Sequence, residues 1–321
     1  MRFLIPFFFL RRFNLNKKLF YASLALVLIC VGLFYITIKN FYLFIFPNIL
    51  LGISFGVILP YIDTYAIGLL KKENYGRARL FGSLGFMLSG ILLARNLSDY
   101  SVGLAYFLVS AIFIVIFGIA ITRDKNETVN QVKKKFEKFK FNKAPYLWIS
   151  IFFMQMSMGI FYNFFTIYET NHGISLKTVS YLWTFSVLCE IVLFYFQAKL
   201  FKKFELLTLI KFAIFVTIIR WLLLYLFPGS ITVSYISQSL HAFSFALHHT
   251  AVITYIYGIY DNKRLSNQFY YGISFGLGGF LGSIVAGYLF GKYIFLYAAL
   301  IAIISLIFLF FQKPKAQVQS S

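Results

Sequence analysis

Charge is scarce in this 321-residue sequence, and negative charge is scarcer still. Charged residues are 12% of the chain and only 10 are Asp or Glu, whereas an ordinary soluble domain is ~25% charged. Hydrophobic residues make up 60% of the chain, and the mean hydropathy is +0.79. Apolar runs longer than ~18 residues recur along its whole length. We therefore expect an all-α, polytopic membrane protein.

Other absences exclude several classes of protein. The alternating segments of ~10 residues that build an outer-membrane barrel do not occur. Cys30 and Cys189 both lie inside apolar runs, so neither a disulfide scaffold nor a metal site is expected. The sequence contains no phosphate-binding P-loop motif, so nothing supports transport driven by ATP. We accordingly expect no cofactor and no bound metal.

Positive charge is abundant, and its distribution predicts topology rather than nucleic-acid binding. Hydropathy predicts ten helices, at 19–38, 41–70, 78–95, 101–122, 146–169, 176–200, 206–227, 230–260, 266–291 and 293–312. Twenty-five of the 30 Lys and Arg residues fall in alternate loops, and only four in the others. This asymmetry obeys the positive-inside rule, so both termini are predicted to be cytoplasmic. We expect a multi-pass monomer of the cytoplasmic (inner) membrane that contacts lipid headgroups and binds no nucleic acid.

A basic stretch in the middle of the chain predicts a division into two bundles. We expect an incomplete N-terminal bundle over 1–122, a cytoplasmic basic linker over 123–145, a six-helix C-terminal bundle over 146–312 and a tail over 313–321. The linker is interpreted as a solvated connection whose charge fixes topology. An amphipathic helix that binds a partner or lipid is the alternative.

Two distant stretches of the chain match without a gap when the numbering is shifted by 190. The matched pairs are Ser54-Phe55 with Ser244-Phe245, Thr64 with Thr254, Tyr65 with Tyr255, Gly68 with Gly258, and Gly82 with Gly272. Each copy is a long apolar helix, a short basic loop and a glycine-rich helix. Such an internal repeat is typical of transporters built from two related halves. By this repeat, about one and a half helices are missing from the first half.

The sequence between the second and third predicted helices resembles a branch of the major facilitator superfamily. The stretch Tyr75-Gly76-Arg77-Ala78-Arg79-Leu80-Phe81-Gly82-Ser83 is similar to the loop between helices four and five of the phenylpropionate permeases, which are related to sugar–proton and nucleoside–proton symporters. Further similar motifs follow in order: Gly173-Ile174-Ser175, Tyr181-Leu182-Trp183, Cys189-Glu190, Ile219-Arg220-Trp221, Gln238-Ser239-Leu240-His241 and Asn267-Gln268-Phe269-Tyr270. The resemblance implies the two-bundle fold, with twelve helices around a cavity that opens alternately to each side. Residues 1–18 resemble only the tail of helix two, so the first helix and most of the second are expected to be missing.

Three ionisable residues at similar depth form a candidate proton-coupling site: Glu190, Arg220 and His241. Ionisable groups inside a bilayer are expensive and usually face a cavity or a partner. A carboxylate held by an arginine stays charged, and weakening that pair lets it take a proton. The resemblance points to the same proton symport. The alternative is a structural Glu190–Arg220 pair that only ties two helices together.

Other polar residues are candidates for substrate binding and gating. Polar and aromatic side chains on cavity-facing helices suggest a site for a small, partly apolar or aromatic solute: Gln155, Tyr162, Asn163, Gln238 and His241. We also expect an ionic latch between Asp63 and the arginines Arg77 and Arg79, made in one state and broken in the other. The competing interpretation of Asp63 is simple anchoring at the membrane interface.

Three functions are compatible with these features. The leading hypothesis is secondary active transport by proton-coupled symport, with a small-molecule substrate and protons as partners. The first alternative is a non-transporting sensor or truncated relic with the transporter fold. The second is an intramembrane acyltransferase that uses His248 or His249, although no carboxylate follows these histidines before Asp261.

Overall fold

The computed structural model describes residues 16–70, 75–96, 99–123 and 139–313, and these ranges are almost entirely helical. The first seven helices are α1 (Lys17–Thr37), α2 (Phe41–Leu69), α3 (Tyr75–Asn96), α4 (Tyr100–Arg123), α5 (Pro145–Asn171), α6 (Leu176–Lys203) and α7 (Leu206–Leu226). They are followed by α8 (Ile231–Ser239), α9 (His248–Ile259), α10 (Lys263–Tyr271), α11 (Gly279–Tyr288) and α12 (Ile294–Phe310). A short 3₁₀ turn at Phe141–Lys143 precedes α5.

Two of the membrane-crossing segments are composite helices with a π-helical middle. The segment Ala242–Leu247 joins α8 to α9, and the segment Gly272–Gly278 joins α10 to α11. With each composite taken as one crossing, the described residues form ten helical segments. This number confirms the predicted fold class and helix count. Among the described residues, seven helices are long and apolar enough to cross a membrane by length and composition, and two shorter apolar helices lie at Leu80–Leu92 and Ile294–Phe310.

Polar side chains at the loop ends fix where several helices begin. The Asn16 side chain accepts from the Leu19 amide at 2.8 Å, and the Asn40 side chain accepts from the Leu43 amide at 3.2 Å. Further side-chain caps precede the later helices, at Ser175, Ser230 and Asn262. An oxygen at this position satisfies an amide that the first helical turn leaves unpaired. The loops therefore specify helix starts that hydropathy alone leaves uncertain.

The internal repeat is visible in the helix bounds. Helix α2 runs over 41–69 and the composite α8–α9 runs over 231–259, so both ends are offset by 190 residues. Helix α3 then corresponds to the composite α10–α11. The two copies differ in regularity, because α2 is a continuous α-helix through Pro47 and Pro60 whereas its counterpart contains the π-helical segment.

The buried side chains form one large core over α5–α12 and smaller cores among α1, α2 and α4. Phe20, Val27 and Ile58 are central to the small cores, and Phe161, Trp221 and Phe295 are central to the large one. Helix α3 packs mainly against α6 rather than against α2 or α4. It therefore carries first-half residues directly to the second-half core.

Successive crossings alternate in direction, so the helix ends define two sides. We call the side with the Lys- and Arg-rich loops the basic side; it holds the start of α5, the end of α9 and the start of α10. The other side is called the opposite side; it holds the end of α5 and the start of α8. These names locate the site residues by depth.

Candidate functional site

Glu190, His241 and Arg220 form one buried chain of side chains near mid-membrane. His241 Nε2 lies 2.8 Å from Glu190 Oε1, and Arg220 Nη1 lies 3.0 Å from His241 Nδ1. Counted from the basic side at 1.5 Å per residue, Glu190 lies ~20 Å deep on α6 and Arg220 ~21 Å deep on α7. Arg220 is 0% exposed, His241 2% and Glu190 4%. The three predicted proton-coupling residues thus meet, but His241 stands between the two ions, which do not form the direct pair expected from sequence.

The contacts of His241 determine which ring nitrogen carries its proton. A guanidinium can only donate hydrogen bonds, so His241 Nδ1 must accept from Arg220. The proton of the neutral ring is then on Nε2, which donates to Glu190 Oε1. This arrangement places a neutral imidazole between a cation and a carboxylate. Of the three groups, the Glu190 carboxylate is the one that accepts hydrogen bonds without donating one.

The second half of the protein solvates the Arg220 guanidinium. Arg220 Nε donates to the Ser237 carbonyl oxygen at 2.8 Å, Nη1 donates to Ser244 Oγ at 2.6 Å, and Nη2 donates to Gln238 Oε1 at 3.2 Å. Its central carbon also lies 4.7 Å from the ring of Phe161 and 4.6 Å from that of Trp221. Hydrogen bonds and ring faces together reduce the cost of burying this charge.

A serine from the first half completes the shell of Glu190. Ser83 Oγ on α3 donates to Glu190 Oε2 at 3.0 Å. Both groups are buried. When a proton sits on this Oε2 atom the carboxyl becomes the donor, and Ser83 must turn to accept. The Glu190 carboxyl therefore takes part in a contact between the two halves of the chain.

Three of the five predicted substrate-binding residues lie at this chain of side chains: Tyr162, Gln238 and His241. The Tyr162 ring centroid lies 6.1 Å from the ring centroids of His241 and Trp183. Tyr162 is 37% exposed, so its ring is accessible beside the buried ions. The Gln238 amide nitrogen Nε2 is buried and has no hydrogen-bond partner in the described part of the chain. That nitrogen is a donor suited to an oxygen of a bound solute.

The other two predicted substrate-binding residues hold helices together. Gln155 Oε1 accepts from Ser274 Oγ at 3.5 Å. Asn163 Nδ2 donates to Ser283 Oγ at 2.8 Å. These contacts join α5 to the composite α10–α11. The structure does not bring Gln155 or Asn163 into contact with the Glu190–His241–Arg220 chain.

The predicted gating residue Asp63 contacts the other half of the chain through a tyrosine. Tyr271 on α10 donates its hydroxyl proton to Asp63 Oδ2 on α2, and both side chains are buried. Counted from the ends of their helices, the two residues lie ~9 and ~12 Å from the basic side. The side chains of Arg77 and Arg79 lie outside the described residues, so the predicted latch stays a prediction.

The adjacent histidines of α9 have separate surroundings. His249 Nδ1 lies 2.8 Å from the Tyr270 hydroxyl, and its ring centroid lies 5.9 Å from that of Phe245. His248 is buried, and its Nε2 has no hydrogen-bond partner among the described residues. In the described ranges no group of three or more His, Cys, Asp or Glu side chains could hold a metal ion.

Sequence reasoning missed several functional neighbours. Ser83 belongs to the Gly-Ser motif quoted above, but nothing in the motif indicates that its hydroxyl reaches Glu190. Ser237 and Ser244 lie close in sequence to Gln238 and His241, and this closeness could have indicated that they also contact Arg220. Glu169 on α5 was overlooked, although it is 1% exposed and accepts from Ser234 Oγ at 2.9 Å.

Within the described ranges, ten helical segments, seven of them long and apolar enough to cross a membrane, are joined to an internal repeat and a buried ion chain that touches both halves, a combination typical of a multi-pass membrane transporter. A profile of the MFS_1 like family matches residues 10–313, nearly the whole chain. The chain therefore belongs to this family of the major facilitator superfamily. It is a transporter rather than an enzyme, so the acyltransferase interpretation of His248 and His249 is wrong.

The chain is similar to two bacterial proteins that carry transporter names. It is 25% identical over 269 residues to the uncharacterized transporter YwbF of Bacillus subtilis, covering 81% of this chain and 67% of YwbF. It is 24% identical over 280 residues to the probable 3-phenylpropionic acid transporter of Escherichia coli, covering 82% of this chain and 72% of that protein.

Solved structures with the same fold include FucP in its outward conformation, with a TM-score of 0.66, 14% identity and coverage of 98% of this chain and 89% of FucP. A variant of FucP, the Escherichia coli fucose–proton symporter, gives a TM-score of 0.68 at 12% identity, with coverage of 98% and 87%. At these identities, the likeness shows the fold alone.

Proposed function

We propose that this transporter is a proton symporter for a small, partly apolar or aromatic organic solute in the cytoplasmic membrane. The basic side is then cytoplasmic, as are both termini, and the opposite side faces outward. Glu190, Arg220 and His241 carry the coupling. The observation that carries this proposal is the Ser83–Glu190 hydrogen bond, because it links a proton-binding carboxyl to the contact between halves.

The charge balance of the site suggests how proton and solute are coupled. With Glu190 ionised, the carboxylate and the Arg220 guanidinium compensate each other through His241. Protonation of Glu190 leaves the guanidinium uncompensated in a buried site, where charge is costly. An anionic or strongly accepting group of the solute restores the balance at Arg220 and at the Gln238 amide nitrogen. Proton and solute then favour one another's binding.

The name of one relative makes an organic acid the first substrate to examine. One relative carries the name probable 3-phenylpropionic acid transporter. The exposed ring of Tyr162 lies beside His241, which Arg220 contacts, and this arrangement suits an aromatic ring joined to a carboxylate. We accordingly choose 3-phenylpropionate as the first probe. The substrate-binding residues are Tyr162, Gln238 and His241, with Gln155 and Asn163 as further predicted members.

Alternating access requires contacts that break on one side while others form. The Tyr271–Asp63 hydrogen bond joins the two halves near the cytoplasmic side, so we assign Asp63 to a cytoplasmic gate. Arg77 and Arg79 remain proposed gate partners. In this proposal the bundles 1–122 and 146–312, connected by the linker 123–145, rock against each other, which opens one side of the site while it closes the other.

The test is Glu190→Gln in proteoliposomes that contain the purified full chain. With an imposed proton gradient, accumulation of labelled 3-phenylpropionate should be lost in this variant, whereas exchange of labelled for unlabelled solute persists in part. Glu205→Gln is the matched control, because Glu205 lies exposed in the loop before α7 and should behave as wild type.

Full accumulation by Glu190→Gln would remove Glu190 from the mechanism. Failure of the wild-type protein to move 3-phenylpropionate or any of a panel of small organic acids would favour the non-transporting alternative. The transporter relatives make that outcome the less expected one.

A further inference from the structure

Helix α10 carries two buried side-chain amides whose hydrogen-bonding capacity is unused. Asn267 is 1% exposed and Gln268 is 3% exposed. Both the nitrogen and the oxygen of the Asn267 amide, and Nε2 of Gln268, lack a hydrogen-bond partner within the described ranges. Because both ends of the Asn267 amide are unpaired, the finding holds whichever end carries the oxygen. Buried polar groups in folded proteins are nearly always paired, so this exception needs a physical reason.

The two amides lie on the face of α10 that packs against the first half of the chain. Helix α10 contacts α2, and Tyr271 marks the contact face because its hydroxyl donates to Asp63. Asn267 and Gln268 precede Tyr271 by four and three residues, which puts the three side chains on one helix face. Counted from the start of α10, the amides lie ~6 and ~7.5 Å from the basic side. They are therefore nearer to the basic side than the Tyr271–Asp63 contact.

Two polar side chains on other faces of α10 have partners inside the second half. Ser266 is 0% exposed, and its Oγ donates to the Lys263 carbonyl oxygen at 2.9 Å. The Tyr270 hydroxyl lies 2.8 Å from His249 Nδ1 on α9. The unused capacity of this helix thus belongs to the face that a separation of α10 from α2 would uncover.

We propose that Asn267 and Gln268 favour opening of the basic side, because their amides gain hydrogen bonds to water when α10 separates from α2. This inference rests on the alternating access of the proposed function. An unpaired polar group costs free energy only while it is buried, so the cost falls on the closed conformation. The Tyr271–Asp63 hydrogen bond acts in the opposite direction. One helix face therefore both holds the gate closed and supplies part of the free energy that opens it.

The rate at which a cysteine on this face reacts with a water-borne reagent measures how often the basic side opens. The protein is the purified full chain in lipid nanodiscs, with its own cysteines removed by Cys30→Ala and Cys189→Ala. Gln268→Cys should react with a membrane-impermeant maleimide, although position 268 is buried in the closed structure. Ser266→Cys is the matched control at a similar depth, and it should stay unlabelled because its face does not turn toward α2.

Asn267→Leu tests the direction of the effect. Leucine has the branched shape of asparagine, but it is favourable when buried and unfavourable in water, so it should favour the closed conformation. Labelling at Gln268→Cys should become about tenfold slower, since an unpaired buried polar group changes an equilibrium by about that factor. Neighbouring residues on a helix diverge by about 100°, so the leucine does not cover the thiol. A misfolded variant would react faster and cannot imitate this result.

An unchanged or faster rate after Asn267→Leu would overturn the inference, and so would a Gln268→Cys variant that never reacts. Labelling of Ser266→Cys as fast as that of Gln268→Cys would overturn it too, because general loosening of α10 would then explain the access. The assay contains neither solute nor a proton gradient. Failure of the wild-type chain to accumulate 3-phenylpropionate would therefore count against the proposed function and leave the labelling result standing.

Discussion

The glycine-rich helices of the two repeat copies differ in how closely other helices approach them. In the second copy, a Cβ atom added at Gly278 would lie 2.6 Å from the Phe152 carbonyl oxygen, and one added at Gly282 would overlap the backbone of Met156. In the first copy, a Cβ atom added at Gly82 or Gly85 would meet no described atom within 4 Å. Small residues allow close helix contact, but the contact forms only where a neighbouring helix packs against them.

The neighbour that makes the difference is α5. It lies against α11 and against the π-helical segment before it, whereas α3 has few contacts with the described helices of its own half. The same asymmetry appears at a pair of equivalent aromatic residues, since Tyr271 is 4% exposed and Phe81 is 70% exposed. A sequence repeat therefore specifies equivalent helices but not equivalent surroundings.

The largest effect is expected from adding a methyl group to each glycine helix in turn. Gly282→Ala forces a Cβ atom against backbone that cannot rotate away, so the free energy of unfolding should fall by about 1–3 kcal/mol or more. Gly85→Ala adds the same atom to an open helix face, where replacing Gly in a helix is worth up to about 1 kcal/mol in the favourable direction. Thermal unfolding of the purified chain in detergent measures both. Equal destabilisation by the two variants would mean that α3 is as closely packed in the membrane as α11, which would contradict the difference between the two copies.

The second prediction concerns the aromatic pair. Tyr271→Phe removes the donor to Asp63, and hydrogen bonds to charged groups contribute about 1.5–3 kcal/mol. Conformations open on the basic side should therefore become more populated. Spin labels at the end of α2 and the start of α10 report this as longer distances in a pulsed electron resonance measurement.

The matched control is Phe81→Tyr, which introduces the same hydroxyl at the equivalent but exposed position of the first copy. It should leave the distance distribution unchanged. A distribution that does not lengthen in Tyr271→Phe would show that other contacts keep the basic side closed, and Asp63 would lose its assigned role in gating.

The helix pattern was predictable from sequence because long apolar runs and loop caps are local signals. Helix α2 was expected over 41–70 and runs over Phe41–Leu69. The π-helical segments were not predictable, since one extra residue in a helical turn leaves hydropathy and apolar spacing almost unchanged. Ala242–Leu247 was therefore predicted to be part of an ordinary α-helix, whereas it is π-helical.

The depth of the site residues was predictable from sequence, but which of them contact each other was not. Position along a helix gives depth at a fixed rise per residue, and this placed Glu190, Arg220 and His241 at similar depths. The order of contacts depends on how each helix is rotated, and sequence alone does not supply that rotation. The contact of Asp63 with Tyr271 of the other half was not predicted, because the two residues are far apart in sequence. Glu169 was overlooked because an acid near a predicted helix end looks like an ordinary interfacial residue.

The smallest expected effect tests whether the two copies also differ in how their loops are anchored. The loop after α9 carries Asp261, whose Oδ2 lies 3.8 Å from Lys143 Nζ, whereas the equivalent position in the first copy is Lys71. Asp261→Lys gives the second loop the charge of the first. Both partners of the ion pair are partly exposed, so stability should fall by less than about 1 kcal/mol, and the loss should vanish near 1 M salt, where the Debye length is about 3 Å.

The aromatic cluster beneath that ion pair explains why so small an effect is expected. The Phe139 ring centroid lies 4.5 Å from that of Tyr260, and Trp148 Nε1 donates to the Tyr260 hydroxyl at 2.9 Å. Tyr260→Phe leaves the buried Trp148 nitrogen without this acceptor and should cost about 1–3 kcal/mol, more than Asp261→Lys. If Asp261→Lys proved the more damaging variant, charge rather than ring packing would hold the end of the linker. The basic residues of the linker would then have a structural role in the second half of the protein.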